Sequence, residues 1–242
     1  MRLIYFIRGC VCIMLLGAGL AGAQEVTLTG RVALANSGKS SASPRGAENV
    51  VVWLTPASGV ARPVASPQAQ PLRLVQKNKS FDPHVLVVPV GAVVAFPNHD
   101  PFFHNVFSLF EGKRFDLGLY EAGSTRDVHF DKPGIAYIFC NIHPEMSAVV
   151  LALDTPYYGI SDARGQVVLA NVPSGKYTLQ VWYESALPES LKAMNREITV
   201  SENSSTLGVL RLAEASPPAG HKNLYGRDYD PPAPDNPAYE RH

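Results

Sequence analysis

The chain has 242 residues, 46% of them hydrophobic and 17% charged, with 21 basic residues against 21 acidic ones. That length can bury a substantial core and hold two small domains. The balanced charge leaves no basic field for nucleic acid, which excludes that class of partner.

Residues 1–23 read as a secretory signal. Arg2 and Arg8 form the positive end, residues 11–20 the apolar stretch, and Ala21-Gly22-Ala23 the small-residue site after which cleavage is expected. The apolar run is too short to span a bilayer, and no cysteine follows the cleavage point to carry a lipid. The mature protein is therefore expected in the periplasm or outside the cell, as a monomer without a membrane span. Cleavage removes Cys10 and Cys12, two of the 3 cysteines. Cys140 is then alone in an oxidising compartment and has no internal disulfide partner. Such a thiol is either a small buried hydrophobe or a group with chemistry to do.

Residues 24–71 carry strand signals. Val26, Leu28 and Val32 alternate, a Ser/Gly/Pro-rich loop spans 36–45, and Val50-Val51-Val52-Trp53-Leu54 forms an apolar run before a connector at 56–71. Over residues 72–154 the strand signals are dense, in Phe81-Asp82-Pro83-His84-Val85-Leu86-Val87-Val88, Val93-Val94-Ala95-Phe96, Val128-His129-Phe130, Ile135-Ala136-Tyr137-Ile138-Phe139 and Ala148-Val149-Val150-Leu151-Ala152-Leu153. No segment there combines caps with a sustained helical period. Residues 155–213 change rhythm, with a turn at Asp162-Ala163-Arg164-Gly165, a strand over 177–182, and room for one helical turn at 189–195. Residues 214–242 are rich in Pro, Asp and Gly and read as a flexible tail. The fold class is all-β. The strands of 24–71 and of 155–213 are each too few for a stable sandwich, so they are expected to pair with each other around 72–154 as an insertion.

The chemistry concentrates in Cys140-Asn141-Ile142-His143-Pro144-Glu145-Met146. Cys140 ends a strand, and His143 and Met146 follow at three-residue steps on one short loop. Upstream, His104 in Phe103-His104-Asn105-Val106-Phe107 supplies a second imidazole; His99 in Asn98-His99-Asp100 is the competing candidate. Thiolate, two imidazoles and a thioether form the donor set that holds copper in both oxidation states. Asn105 is placed to tie the histidine segment to the loop at Asn141. Phe102, Phe103, Phe107 and Phe139 are expected to keep water from the ion. His143 is expected to form the edge through which electrons pass, with Pro144 and Phe102 around it as a docking surface. His84 and His129 lie within strands, and His221 and His242 in the tail are expected to be idle.

These residues resemble the cupredoxins. Cys140-x-x-His143-x-x-Met146 has the loop spacing of amicyanin. Phe81-x-Pro83-x-x-Leu86-x-Val88-x-x-Gly91-x-x-Val94-x-Phe96-x-Asn98, followed by His104-Asn105-Val106, is similar to the plastocyanin pattern before its first copper histidine. The resemblance covers residues 72–154 and implies a Greek-key β-sandwich with one copper ion held by His104, Cys140, His143 and Met146. Two features depart from it: Phe103 stands where proline is usual, and residues 111–124 form a long insert. The flanking segments resemble transthyretin-like, or carboxypeptidase-regulatory-like, β-domains through Asp162-x-x-Gly165-x-x-x-Leu169 and Val172-Pro173-x-Gly175-x-Tyr177-x-Leu179-x-Val181-Trp182. The whole resembles exported methylamine-utilisation proteins, which implies a redox partner protein that the sequence does not name.

No phosphate loop, nucleophile elbow or helical zinc-histidine pair marks an enzyme. The leading expectation is a single-electron carrier. Two other readings stand beside it: a copper-binding or storage protein without a redox partner, and a carbohydrate- or wall-binding module with a structural metal, using Trp53, Trp182 and Tyr183.

Overall fold

A computed structural model describes residues 24–35, 47–59, 72–203, 205–213 and 221–229. The signal at 1–23, the loop at 36–45, most of the connector at 56–71 and much of the expected tail lie outside the described residues. Among the described residues the regular elements are strands apart from one short helix. β1 (Glu25–Ala35) and β2 (Val51–Pro56) come first. The middle segment holds β3 (Val75–Lys77), β4 (Ser80–Asp82), β5 (Val85–Pro89), β6 (Ala92–Pro97), β7 (His104–Ser108), β8 (Phe115–Tyr120), β9 (Thr125–Phe130), β10 (Gly134–Cys140) and β11 (Ser147–Leu153). β12 (Tyr158–Ile160), β13 (Gln166–Pro173), β14 (Gly175–Trp182), a helix α1 (Pro188–Met194), β15 (Arg196–Val200) and β16 (Thr206–Ala213) follow. The short helix starts with Pro188 at its first turn, beside Glu189, and carries Lys192 in its last turn. Fixed φ at the start and charges matched to the helix ends suit that arrangement.

The strands before and after the middle segment pair with one another. β1 runs antiparallel to β13 and parallel to β16, and β2 lies antiparallel between β12 and β14. Alternating residues of these strands, among them Leu28, Val32, Val52, Leu54, Leu169 and Leu179, share one buried cluster. The turn before β13 is set locally. Asp162 Oδ1 accepts the N–H groups of Arg164 and Gln166, and Gly165 takes φ 75 where a Cβ would meet Val32 O at 2.3 Å. Only glycine meets both conditions without strain.

The middle segment forms a five-stranded sheet in the order β5-β11-β10-β7-β8, with β6 paired to β9 and β3 to β4. Its interior is lined by Leu74, Phe96, Val106, Ile138, Val150 and neighbours. Gln76 is fully buried there; its Nε2 donates to Phe96 O and Pro97 O, both at 3.3 Å, and to the Tyr120 hydroxyl. β11 has no polar face, because it separates two cores. Ala148, Val150 and Ala152 point into the middle core, while Val149, Leu151 and Leu153 meet Val51, Val85, Val87 and Trp182 of a second cluster. That explains its unbroken apolar run. Each large apolar side chain buried there stabilises the fold by about 1.5–3 kcal/mol relative to exposure.

A polar contact crosses the same boundary. His84 Nε2 lies 2.6 Å from Glu184 Oε2 and His84 Nδ1 lies 3.1 Å from Ser147 O. The hydrogen bond to Glu184 raises the His84 pKa above its ordinary 6.5; burial opposes this, while the Glu184 charge and the Ser147 carbonyl add to it. A folded pKa above the unfolded one gives stability that is complete below the ordinary histidine range and is lost as pH rises through the folded value. We therefore expect the melting-temperature advantage of wild type over His84→Gln to be largest below the ordinary histidine pKa of 6.5 and to shrink as pH rises above it. An advantage that grows with pH would exclude the protonated pair.

Candidate metal centre

Strand parity builds the site. β7 and β10 are antiparallel neighbours, with Val106 opposite Cys140 and Phe107 opposite Phe139. Side chains of a strand alternate between faces, so Cys140, Ile138 and Val106 all enter the middle core. His104, two residues before Val106, shares that face and lies at the same end of the sheet as Cys140. The loop after Cys140 then folds back on itself. Met146 N–H donates to His143 O at 3.1 Å, Cys140 N–H to Met146 O at 3.3 Å, and Asn141 N–H to Asn105 O at 2.8 Å.

His104, Cys140 and His143 consequently meet. Cys140 Sγ is 3.6 Å from His104 Nδ1 and 3.5 Å from His143 Nδ1, and the two Nδ1 atoms are 3.2 Å apart. The point equidistant from these three atoms lies about 2.0 Å from each, where metal–nitrogen and metal–sulfur distances of about 2.0–2.3 Å fall. The three residues are 0%, 0% and 5% exposed, so the centre is dry. Met146 is fully buried in the same core as Cys140 and Val106. His99 is exposed and outside this group, so of the two upstream candidates His104 is the one beside Cys140.

The electrostatics suit a cation. Burial lowers the His104 pKa against the opposing hydrogen bond and charge of Asp100. Burial, reinforced by the neighbouring His104, pushes His143 down to about 4. Both imidazoles are therefore neutral near pH 7, with lone pairs ready for a metal. Burial also pushes the Cys140 thiol up, although backbone N–H groups of Asn105, Ile142 and His143 point at its sulfur and oppose the shift. A metal must displace that proton, since the thiolate is the ligand.

Several surroundings differ from the sequence expectation. Phe102 does cover the centre, its ring 5.3 Å from that of His104 and 5.4 Å from that of His143. Phe103 instead projects into solvent at 51% exposure. Phe107 and Phe139 sit on the opposite face of the sheet, 6.0 Å from each other, because their parity is opposite to that of Cys140. Asn105 ties the loop through its backbone carbonyl, while its side-chain amide donates to Asp116 Oδ1 at 2.6 Å. His143, the expected edge for electron passage, is 5% exposed.

The expected flexible tail is corrected over residues 221–229, which dock on the loop. Leu224 N–H donates to Asn141 Oδ1 at 2.8 Å, and the Tyr229 hydroxyl donates to Cys140 O at 2.7 Å. The His221 ring stacks on Phe139 at 4.0 Å and its Nδ1 lies 3.2 Å from the Tyr229 hydroxyl. His221, expected to be idle, thus packs behind the cysteine strand. A second group missed by local reading is Asp100, whose Oδ2 lies 2.9 Å from His104 Nε2. Its signal in the sequence was an acid four residues before a candidate ligand.

No protein-family profile matches the chain, and no curated protein matches it. Solved structures similar to it include a purple cupredoxin from Nitrosopumilus maritimus, at 22% identity, 34% of this chain, 99% of that chain and a TM-score of 0.31. A copper-containing nitrite reductase from Thermus scotoductus SA-01 is similar at 27% identity over 39% of this chain, which spans a quarter (25%) of that chain, with a TM-score of 0.34. A methionine-to-glutamine variant of amicyanin in the Cu(I) state is similar at 18% identity over 34% of this chain and 81% of that chain, with a TM-score of 0.32.

Proposed function

We propose that the chain is an exported protein in which His104, Cys140, His143 and Met146 would hold one copper ion, and that it passes single electrons to and from a redox partner protein. The observation that carries this reading is the buried triangle of one sulfur and two imidazole nitrogens. A His₂Cys plane with a distant thioether is the donor set of blue-copper electron-transfer sites. Structural zinc sites favour four Cys or His donors in a closed tetrahedron, and among the described residues three such groups come together. Copper, when bound, supplies a one-electron couple.

The chain's own part is to hold the donors still and dry. The β7–β10 pairing fixes His104 against Cys140, the hydrogen bonds closing the loop fix His143 and Met146, and Phe102 excludes water from both imidazoles. No bond of a substrate is made or broken in this reading. Export rests on the signal at 1–23, and among the described residues no helix is long and apolar enough to cross a membrane. Burial of the three donors supports electron transfer over storage, because a storage site must exchange its ion. The sugar-binding alternative gains little support, since Trp182 is 3% exposed and Trp53 packs against the same cluster.

Metal-free protein loaded with Cu(II) is expected to take up one ion per chain, to show the intense visible band of a thiolate-to-copper transition, and to give a reversible couple in voltammetry. Protein that stays colourless after loading overturns the proposal. Colour without a reversible couple moves the assignment to storage.

A further inference from the structure

Asp100 is 4% exposed and its carboxylate is surrounded by donors. Its Oδ1 accepts the Asn78 N–H at 2.6 Å, and its Oδ2 accepts both the Lys79 N–H at 3.0 Å and His104 Nε2 at 2.9 Å. Asn78 and Lys79 are the two central residues of the β3–β4 hairpin, between paired Lys77 and Ser80, and both have positive φ, 56 and 54. A turn of that kind matches the twist of the flanking strands, and here its two N–H groups both reach one carboxylate. The other side of Asp100 is held equally. Its own N–H donates to Asn98 Oδ1 at 3.0 Å, and Asn98 Nδ2 donates to Phe102 O at 2.8 Å. The carboxylate therefore has a fixed place, set from two segments of chain, with one oxygen turned to the distal nitrogen of His104.

A carboxylate accepts and does not donate, so the proton between it and His104 belongs to Nε2. That leaves the lone pair on Nδ1, the atom that faces Cys140 and His143. Such outer partners fix the tautomer and ring direction of a ligand histidine and raise its basicity. A buried negative charge also attracts a doubly charged ion more than a singly charged one, with little water to screen the difference.

We propose that Asp100 is a positioning residue for the metal centre: it holds His104 with Nδ1 toward the ion, and its charge favours Cu(II) over Cu(I). The first half stands on the hydrogen bonds alone, whereas the second rests on the copper reading given above. The competing role is purely structural, with Asp100 serving only to clamp the β3–β4 turn.

Two measurements separate these roles. In the full chain carrying Asp100→Asn, Cu(II) and Cu(I) dissociation constants are measured by chelator competition, together with the reduction potential. The Cu(II) constant is expected to rise by about 10–100-fold, the Cu(I) constant by less, and the potential to move positive. Equal losses for the two ions with an unchanged potential would leave Asp100 as a turn clamp and overturn the charge role. The second measurement needs neither variant nor copper: long-range ¹H–¹⁵N spectra of metal-free wild type are expected to show His104 protonated at Nε2 and bare at Nδ1. The opposite tautomer overturns the positioning role. Wild type with the expected tautomer that takes up no copper overturns the proposed function and leaves the positioning of His104 intact.

Discussion

Replacing Cys140 by serine is expected to abolish the intense visible band of the copper-loaded protein and to weaken copper binding by more than about 100-fold, since loss of an outer partner alone costs about 10–100-fold. The reason lies in what the sulfur contributes. A thiolate is a soft, charged donor, and an alcohol at the same position remains protonated and hard near neutral pH. The backbone N–H groups of Asn105, Ile142 and His143 that favour the thiolate can also donate to a serine hydroxyl. Cys140→Ser should therefore fold, and melting temperature of the metal-free form serves as the control. Copper binding of wild-type strength by this variant would remove Cys140 from the ligand set.

His104→Ala and His99→Ala should diverge sharply. His104 is fully buried, bonded to Asp100 and 3.6 Å from Cys140 Sγ. Its removal takes a proposed ligand, opens a cavity and leaves the Asp100 oxygen with one donor fewer, a loss of about 1–3 kcal/mol from the unmade hydrogen bond alone. Copper binding should fall as far as in Cys140→Ser. His99 is exposed, and its contact in the fold, the backbone N–H to Gln76 O at 2.8 Å, survives truncation of the side chain. His99→Ala should shift stability by no more than about 0.5 kcal/mol and leave metal affinity unchanged. Copper titration and chemical denaturation of the two variants side by side test this; equal losses of affinity would contradict the ligand assignment.

The docked segment at 221–229 changes how the loop should be pictured. Its contacts reach Asn141, the carbonyl of Cys140 and the ring of Phe139, so the cysteine strand is held from outside the core as well as from within. Composition alone hid this. Pro, Asp and Gly mark the wider segment 214–242, and the three residues that make these contacts, His221, Leu224 and Tyr229, are too widely spaced to show a period.

What the sequence determined by itself is local. Alternation marked the strands, because a side chain's face is set by its immediate neighbours. The three-residue steps from Cys140 to His143 to Met146 marked the loop, because a short turn after a strand returns its side chains to one place. The pairing of residues flanking the middle segment was expected only from their shortage of strands, and the register of β1 with β13 and β16 supplied it.

The tertiary structure decided everything that depends on which strand neighbours which. The sequence favoured His104 over His99 only through the Asn105-Val106 that follows it; the pairing of β7 with β10 puts His104 beside the sulfur and leaves His99 exposed. The same parity sends Phe107 and Phe139 to the far face and Phe103 outward. Asp100 became part of the site because the β3–β4 turn arrives from more than twenty residues upstream with two backbone donors for it. Contacts of that range depend on chain closure over long separations, and no local pattern of residues records them.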